Sequence, residues 1–185
     1  MGVVACFALY YIATAFALGY GTTKLGYARQ PFLEAQLGAI LFMAAGIVAA
    51  GWLADHTSQR LVLLGGCMAT VLAGALLPSL LGSGSMAGVF AFMVVALLAM
   101  GFVYGPLGAW LPGLFPASVR YTGTSLAFNL GGVIGGGLTP ALAQMMADRG
   151  GLRPVGLYLA GAAILSALGL MLAGRSTPAV EVAPA

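Results

Sequence analysis

The sequence predicts an all-α integral membrane protein built from six transmembrane helices. Composition is the first reason: hydrophobic residues make up 61% of the chain and charged residues 6%, against about 25% charged in an average soluble domain. Mean hydropathy is +1.04, and seven basic and four acidic side chains in 185 residues cannot cover a water-facing surface. The second reason is that apolar runs repeatedly reach the ~20 residues needed to cross a hydrocarbon core, with short polar, Gly- or Pro-bearing stretches between them. The third is the lack of period-two alternation, which a transmembrane β-barrel would need. Backbone in lipid must then bond within its own segment, as a helix does.

Taken in order, the spans are about 3–20, 32–54, 61–81, 86–111, 122–147 and 155–173. The first is uncharged from Val3 to Tyr20. No basic region precedes it and no small-residue cleavage site follows, so it does not read as a signal peptide. A chain that opens inside a span instead suggests a missing upstream part. Gly21 to Pro31 is a polar connection with Lys24 and Arg29, and Glu34 stands near the start of the second span. Asp55-His56-Thr57-Ser58-Gln59-Arg60 is the most polar short stretch. Leu61 to Val119 carries no charge at all, too long for one crossing; Pro78 and Gly82-Ser83-Gly84-Ser85 divide it. Asp148 to Arg153 is a tight polar turn, with Pro154 suited to the first turn of the next helix. Residues 1–174 form the six-span unit and 175–185 a short polar tail, expected to be disordered. The 29 glycines fall mostly within spans, where small residues allow close helix contact.

Gly101 to Pro140 is the most informative stretch: one charged residue, Arg120, between two apolar runs. Gly105-Pro106 and Pro112 interrupt the run before it, and Asn129 and a series of glycines follow it. Helices broken in this way suit a lining that moves or a path that something polar crosses. The string Gly105-Pro106, Leu111-Pro112, Leu114-Phe115-Pro116, Val119-Arg120-Tyr121-Thr122-Gly123, Ser125-Leu126 and Asn129-Leu130-Gly131-Gly132 resembles the second half of major facilitator superfamily transporters. Within them it is most similar to the metabolite:proton symporter branch, the shikimate, α-ketoglutarate and proline/betaine carriers. The likeness extends over all but about the last ten residues.

The resemblance implies half of a major facilitator fold, two triplets of helices related as an inverted repeat. It implies the C-terminal half of a secondary transporter that carries a small organic acid or zwitterion by proton symport, in a bacterial inner membrane. The partners implied are the lipid bilayer, a missing N-terminal six-helix half, a small-molecule substrate and a proton. The other reading is a non-transporting remnant or an assembly subunit of a membrane complex. Charge alone does not orient the chain: Lys24, Arg29, Arg149 and Arg153 fall on one side, Arg60, Arg120 and Arg175 on the other. The resemblance puts the Asp55 and Arg120 connections in the cytoplasm.

Gly51-Trp52-Leu53-Ala54-Asp55, ending in Arg60, resembles the loop between the second and third helices of a half. His56, Ser58 and Gln59 depart from its usual pattern. In the family this loop latches the cytoplasmic side, which makes Gly51, Asp55, Arg60 and Arg120 gate candidates. A carboxylate at a helix end can hold a neighbouring helix N-terminus and an arginine; ordinary interfacial charge is the plainer reading. Gly113 is a second departure, because the family commonly has an acid there, and its loss removes one partner of Arg120.

Tyr10, Tyr11 and Thr14 in the first span, and Tyr104 and Trp110 in the fourth, give polar-aromatic positions on the two helices that line the cavity in this family. They are substrate-cavity candidates, although Tyr and Trp also anchor at interfaces and pack. Asn129 joins them: a carboxamide in an apolar span must bond a neighbouring helix or face water or substrate. Glu34 is the proton-coupling candidate, against an interfacial position. Cys6 and Cys67 sit in apolar runs without metal-ligand or nucleophile company and read as packing thiols. No metalloprotease, serine-hydrolase or phosphate-loop motif occurs. The glycine run Gly131–Gly137 has no preceding strand, and the net charge of +3 is too scattered for nucleic acid. No enzyme activity, cofactor or metal is therefore expected.

Overall fold

A computed structural model gives the structure and describes residues 3–173. Six helices are long and apolar enough to cross a membrane: α1 Val4–Thr23, α2 Arg29–His56, α3 Gln59–Leu81, α4 Met86–Trp110, α5 Arg120–Gly150 and α6 Leu152–Ala173. One turn of 3-10 helix, Pro112–Leu114, follows α4, and no strand occurs among the described residues. The predicted tail, 175–185, lies outside them. At 1.5 Å per residue, the 28 residues of α2 span about 42 Å, more than the ~30 Å hydrocarbon core, so its polar ends reach the interfaces.

Alternating crossings gather the polar connections at two ends. At one end stand Asp55, Arg60 and Arg120, and Arg60 Nη2 donates to the Met171 carbonyl near the end of α6 at 2.9 Å. At the other end Lys24 pairs with Asp148 at 3.0 Å, joining the α1–α2 connection to the last turn of α5. The three tight turns at this Lys24 end each contain a glycine at positive φ: Gly26 at 72°, Gly84 at 73° and Gly151 at 71°. Side chains rarely adopt that conformation, which explains why glycine-bearing stretches separate the spans there. Ser85 then starts α4, its hydroxyl accepting from the Gly88 N–H at 3.1 Å.

Two prolines behave differently from the sequence expectation. Pro78 lies inside α3, three residues before its end, and the Gly82–Ser85 turn alone divides α3 from α4. Pro106 lies inside a continuous α4 that runs on to Trp110. Prolines within packed membrane helices are tolerated in this way. Pro78 sits against the α3–α6 contact, where glycine meets glycine: a Cβ on Gly74 would stand 2.7 Å from the Gly156 carbonyl, and one on Gly156 would run into the Gly74 carbonyl. Gly74 O is the acceptor that Pro78 leaves without its helical donor. Pro112 does end a helix, as expected, and opens the 3-10 turn.

The α2–α4 contact is equally close. A Cβ on Gly101 would stand 2.6 Å from the Met43 carbonyl, so the two backbones touch. Helix α4 is the centre of the bundle, with Phe92, Met93, Leu97, Val103 and Leu107 fully buried. Helices α2 and α5 are the least buried, and each shows long apolar faces: Leu41 and Val48 on α2, Leu126 and Val133 on α5. Among the described residues, α1 and α5 each contain a widened π-helical turn, Ile12–Phe16 and Val133–Gly137. Such turns interrupt the regular ladder and occur often at functional positions.

Candidate functional site

Helices α1, α4 and α5 meet along one open face. Phe7 of α1 stands edge-on to Phe128 of α5, ring centroids 6.3 Å apart. Phe128 is edge-on to Tyr104 of α4 at 6.5 Å. The series of rings binds the three helices while leaving Tyr104 41% exposed. Tyr11, 36% exposed, lies against α5 at Gly136, where a Cβ would stand 2.6 Å from its ring. The bare glycine is what lets the ring approach. Tyr10 is half-buried, and its ring meets that of Tyr11 edge-on at 5.5 Å.

Asn129 lies on the exposed side of α5, one position beyond Phe128. Its Nδ2 donates to the Ser125 carbonyl of its own helix at 2.8 Å, and it bonds no neighbouring helix among the described residues. Of its two sequence readings, the helix–helix bond is the one not made. The structure thus brings Tyr11, Tyr104 and Asn129 to the open surface of the three helices bound by these rings. Thr14 is buried, and its hydroxyl donates back to the Tyr10 carbonyl at 2.7 Å inside the widened turn. Trp110 is separate: it lines an apolar crevice with Val3, Leu114, Leu130 and Ile134. Six positions beyond Tyr104, at 3.6 residues per turn, it points to a different side of α4.

The gate candidates collect at one end but are not in contact. Asp55 is exposed, and among the described residues it makes neither an ion pair nor a hydrogen bond. Arg120 is exposed and donates Nε to the Phe115 carbonyl, five residues back, at 3.4 Å. Arg60 holds the end of α6 through Met171, a favourable place for a cation near a helix C-terminus. Gly51 has open space around it. At the other end Glu34 is exposed and accepts from Gln30 Nε2 at 3.0 Å.

Sequence reasoning missed several polar groups. Gln36 Oε1 on α2 is buried without a partner among the described residues. It lies four residues after Phe32 and three before Ala39, both fully buried, and that spacing could have revealed it. Thr124 Oγ1 on α5 is likewise buried and unpartnered. Thr139 donates to the Gly135 carbonyl at 2.6 Å and stands 2.8 Å from the Tyr158 hydroxyl of α6. With the single Thr139 proton spent on Gly135, Tyr158 must be the donor of that second bond. Gly135 lies in the widened turn of α5, and Pro140 supplies no N–H to that region. The Ala5 N–H near the start of α1 is met by Ser166 Oγ of α6 at 3.2 Å.

Residues 1–173 match the family described as "Sugar (and other) transporter". The chain belongs to that family, of the major facilitator type. A putative metabolite transport protein of Haemophilus influenzae is 35% identical over 97% of this chain and 43% of its own length. The inner membrane metabolite transport protein YhjE of Escherichia coli is 36% identical over 91% and 40%. The Escherichia coli shikimate transporter is 30% identical over 88% and 38%. No solved structure gives a significant match. The chain spans about two fifths of the length of these relatives. Six apolar helices and this family make it a six-helix half of an all-α major facilitator fold, integral to the bacterial inner membrane and multi-pass. Its relatives are transport proteins, not enzymes.

Proposed function

We propose that the chain acts as the C-terminal six-helix half of a secondary transporter, carrying a small organic acid or zwitterionic metabolite by proton symport. The observation that carries this reading is the open face of α1, α4 and α5, where Tyr11, Tyr104 and Asn129 are exposed beside the Phe7–Phe128–Tyr104 rings. A membrane protein does not leave a tyrosine and a carboxamide facing hydrocarbon without cost. A matching six-helix half covering this face would enclose them in a midplane cavity. The names of its relatives favour the substrate class: one is a shikimate transporter, one a citrate-proton symporter and one a proline/betaine transporter.

In this reading the Arg120 end is cytoplasmic, and Asp55 and Arg120 form a latch in the closed state of that end. Their separation here fits a gate that is not engaged. Glu34, exposed and bonded to Gln30, suits an interfacial role, so the proton-carrying group belongs to the other half. The second reading, a non-transporting remnant or assembly subunit, is favoured by Gly113 and by the altered residues after Asp55.

Proteoliposomes separate the two. Purified chain alone should insert and fold, yet show no proton-driven uptake, because one half supplies one wall of the cavity and no opposing gate. Addition of a matching N-terminal half should give uptake that disappears when the proton gradient is collapsed. Failure of every matching half to give uptake would leave the remnant reading. Accumulation by the chain alone, lost with the gradient, would make it a self-sufficient carrier.

A further inference from the structure

A groove of about 580 Å³ lies between α3 and α6 at the Lys24 end. Gly74 and Gly156 leave its floor bare, because neither has a side chain and the two backbones meet there. Ala75, Leu157 and Ala160 line it further along, and Arg153 lines it at the polar end of α6. We propose that this groove binds one anionic glycerophospholipid, with an acyl chain along the groove and the phosphate against the Arg153 guanidinium. The proposal goes beyond the carrier reading and does not rest on it: it requires only that the chain spans a bilayer.

Shape is the first argument. Along α3 the groove runs from Ser79 to Val71, about 12 Å at 1.5 Å per residue. It starts beside the polar connections and runs toward mid-membrane, as a lipid chain does. Ala75 and Leu157 are exposed, so the groove opens to the outside of the bundle. The aromatic face is built by α1, α4 and α5, and the groove is separate from it. An empty groove forfeits the dispersion contacts that its lining would make with a chain lying in it.

Charge selects the headgroup. Arg153 makes no ion pair among the described residues. One turn on along its own helix stand Gly156 and Leu157, and α3 has no acidic residue. The nearest carboxylate along the chain, Asp148, is held by Lys24 at 3.0 Å. Lys24, Arg29, Arg149 and Arg153 share this end with only Glu34 and Asp148, so the surplus is positive. A guanidinium takes a phosphate through two parallel N–H bonds, and basic pockets between transmembrane helices hold anionic headgroups. The Arg153 stem can lie along the groove while its charged head reaches the headgroup level. Ser79 gives its hydroxyl proton to the Leu76 carbonyl at 2.9 Å, so its oxygen can only accept, which suits a headgroup hydroxyl. Phosphatidylglycerol supplies both parts, a phosphate charge and free hydroxyls.

The test uses the 185-residue chain in detergent, titrated with dioleoyl phosphatidylglycerol or with phosphatidylcholine of the same chains. Native mass spectrometry reads the lipid retained. One phosphatidylglycerol should be retained per chain, about fivefold more tightly than phosphatidylcholine, the gain expected for one arginine near the membrane surface. Arg153→Gln should remove that preference, and Arg153→Lys should keep part of it. Arg29→Gln makes the same change of charge at the same end, outside the groove, and should leave the preference intact. Ala75→Leu and Ala160→Leu fill the groove and should lower retention of both lipids. Glycerol 3-phosphate, a headgroup phosphate without chains, should not displace the lipid. Circular dichroism checks folding, and gel filtration checks size.

Equal retention of the two lipids, or an equal loss in Arg29→Gln and Arg153→Gln, would overturn the proposal, since either would reduce the effect to general charge. Retention unchanged in folded Ala75→Leu and Ala160→Leu would place the lipid elsewhere. Displacement by glycerol 3-phosphate would make the site one for free phosphate. A dimer that the groove-filling variants convert to monomer would make the groove a contact between two copies of the chain. Each of these results is independent of uptake by the two-half assembly, so failure of the groove and failure of the carrier reading are told apart.

Discussion

Gly101→Ala should loosen the bundle, whereas Gly65→Ala should not. Both glycines lie inside long helices, so both substitutions gain the same helix propensity, up to about 1 kcal/mol in a water-exposed helix. That gain cancels when the two variants are compared. A Cβ on Gly65 meets nothing within 4 Å, whereas one on Gly101 would stand 2.6 Å from Met43 O, 2.8 Å from Ile47 N and 3.0 Å from Gly46 C. All three neighbours are backbone atoms of α2, so no side chain can rotate away. Carbon contacts settle near 3.5–4.0 Å, so α2 must retreat by roughly 1 Å along this seam. Gly46, close to Leu98, and Gly105, close to the Ile47 carbonyl, would lose contact in the same movement. Overpacking of this kind costs about 1–3 kcal/mol, and that range is the expected difference between the variants. The assay is unfolding in mixed micelles with increasing sodium dodecyl sulfate, followed by circular dichroism. Equal stabilities would refute the claim that the α2–α4 backbones touch at Gly101.

Two further outcomes are expected. Single cysteines at Ser58 and Ser83, in a background free of Cys6 and Cys67, should react with an impermeant maleimide from opposite sides of the membrane. Reaction from one side would break the six-helix count. In the two-half assembly, Asp55→Asn and Arg120→Gln should be non-additive in their effect on uptake if they form one latch; strict additivity would show that they act separately.

Much of the fold was legible because a membrane simplifies the physics. Every crossing must satisfy its own backbone, so apolar run length is nearly sufficient to find the helices. The turns were legible where glycine takes positive φ, as at Gly84 and Gly151. Proline was less informative. Pro78 and Pro106 looked like interruptions, yet both lie within helices, because tertiary packing decides whether a lost hydrogen bond breaks a helix.

The candidate site was legible in residue type more than in placement. Tyr104 and Trp110 share a helix and a chemistry, but six residues of spacing send them to different surroundings. Asn129 was noticed because it is a carboxamide in an apolar run. Thr124, Thr139 and Gln36 were not, since a lone threonine or glutamine in a span usually bonds its own helix, as Thr70 does to the Gly66 carbonyl at 2.8 Å. The proposed Asp55–Arg120 latch came from resemblance alone, and among the described residues the two side chains form no ion pair.

The central claim is that the α1–α4–α5 face is one wall of a water-filled cavity and does not face lipid. Cysteines placed singly at Tyr11, Tyr104 and Asn129 in the two-half assembly test it most directly, with Leu41 and Val48, exposed apolar positions on α2, as the comparison. The account predicts that a small water-soluble thiol reagent modifies the first three far faster than the controls, and that transported substrate slows the modification. Rates equal to those at Leu41 and Val48, with no effect of substrate, would contradict it and return the face to the lipid.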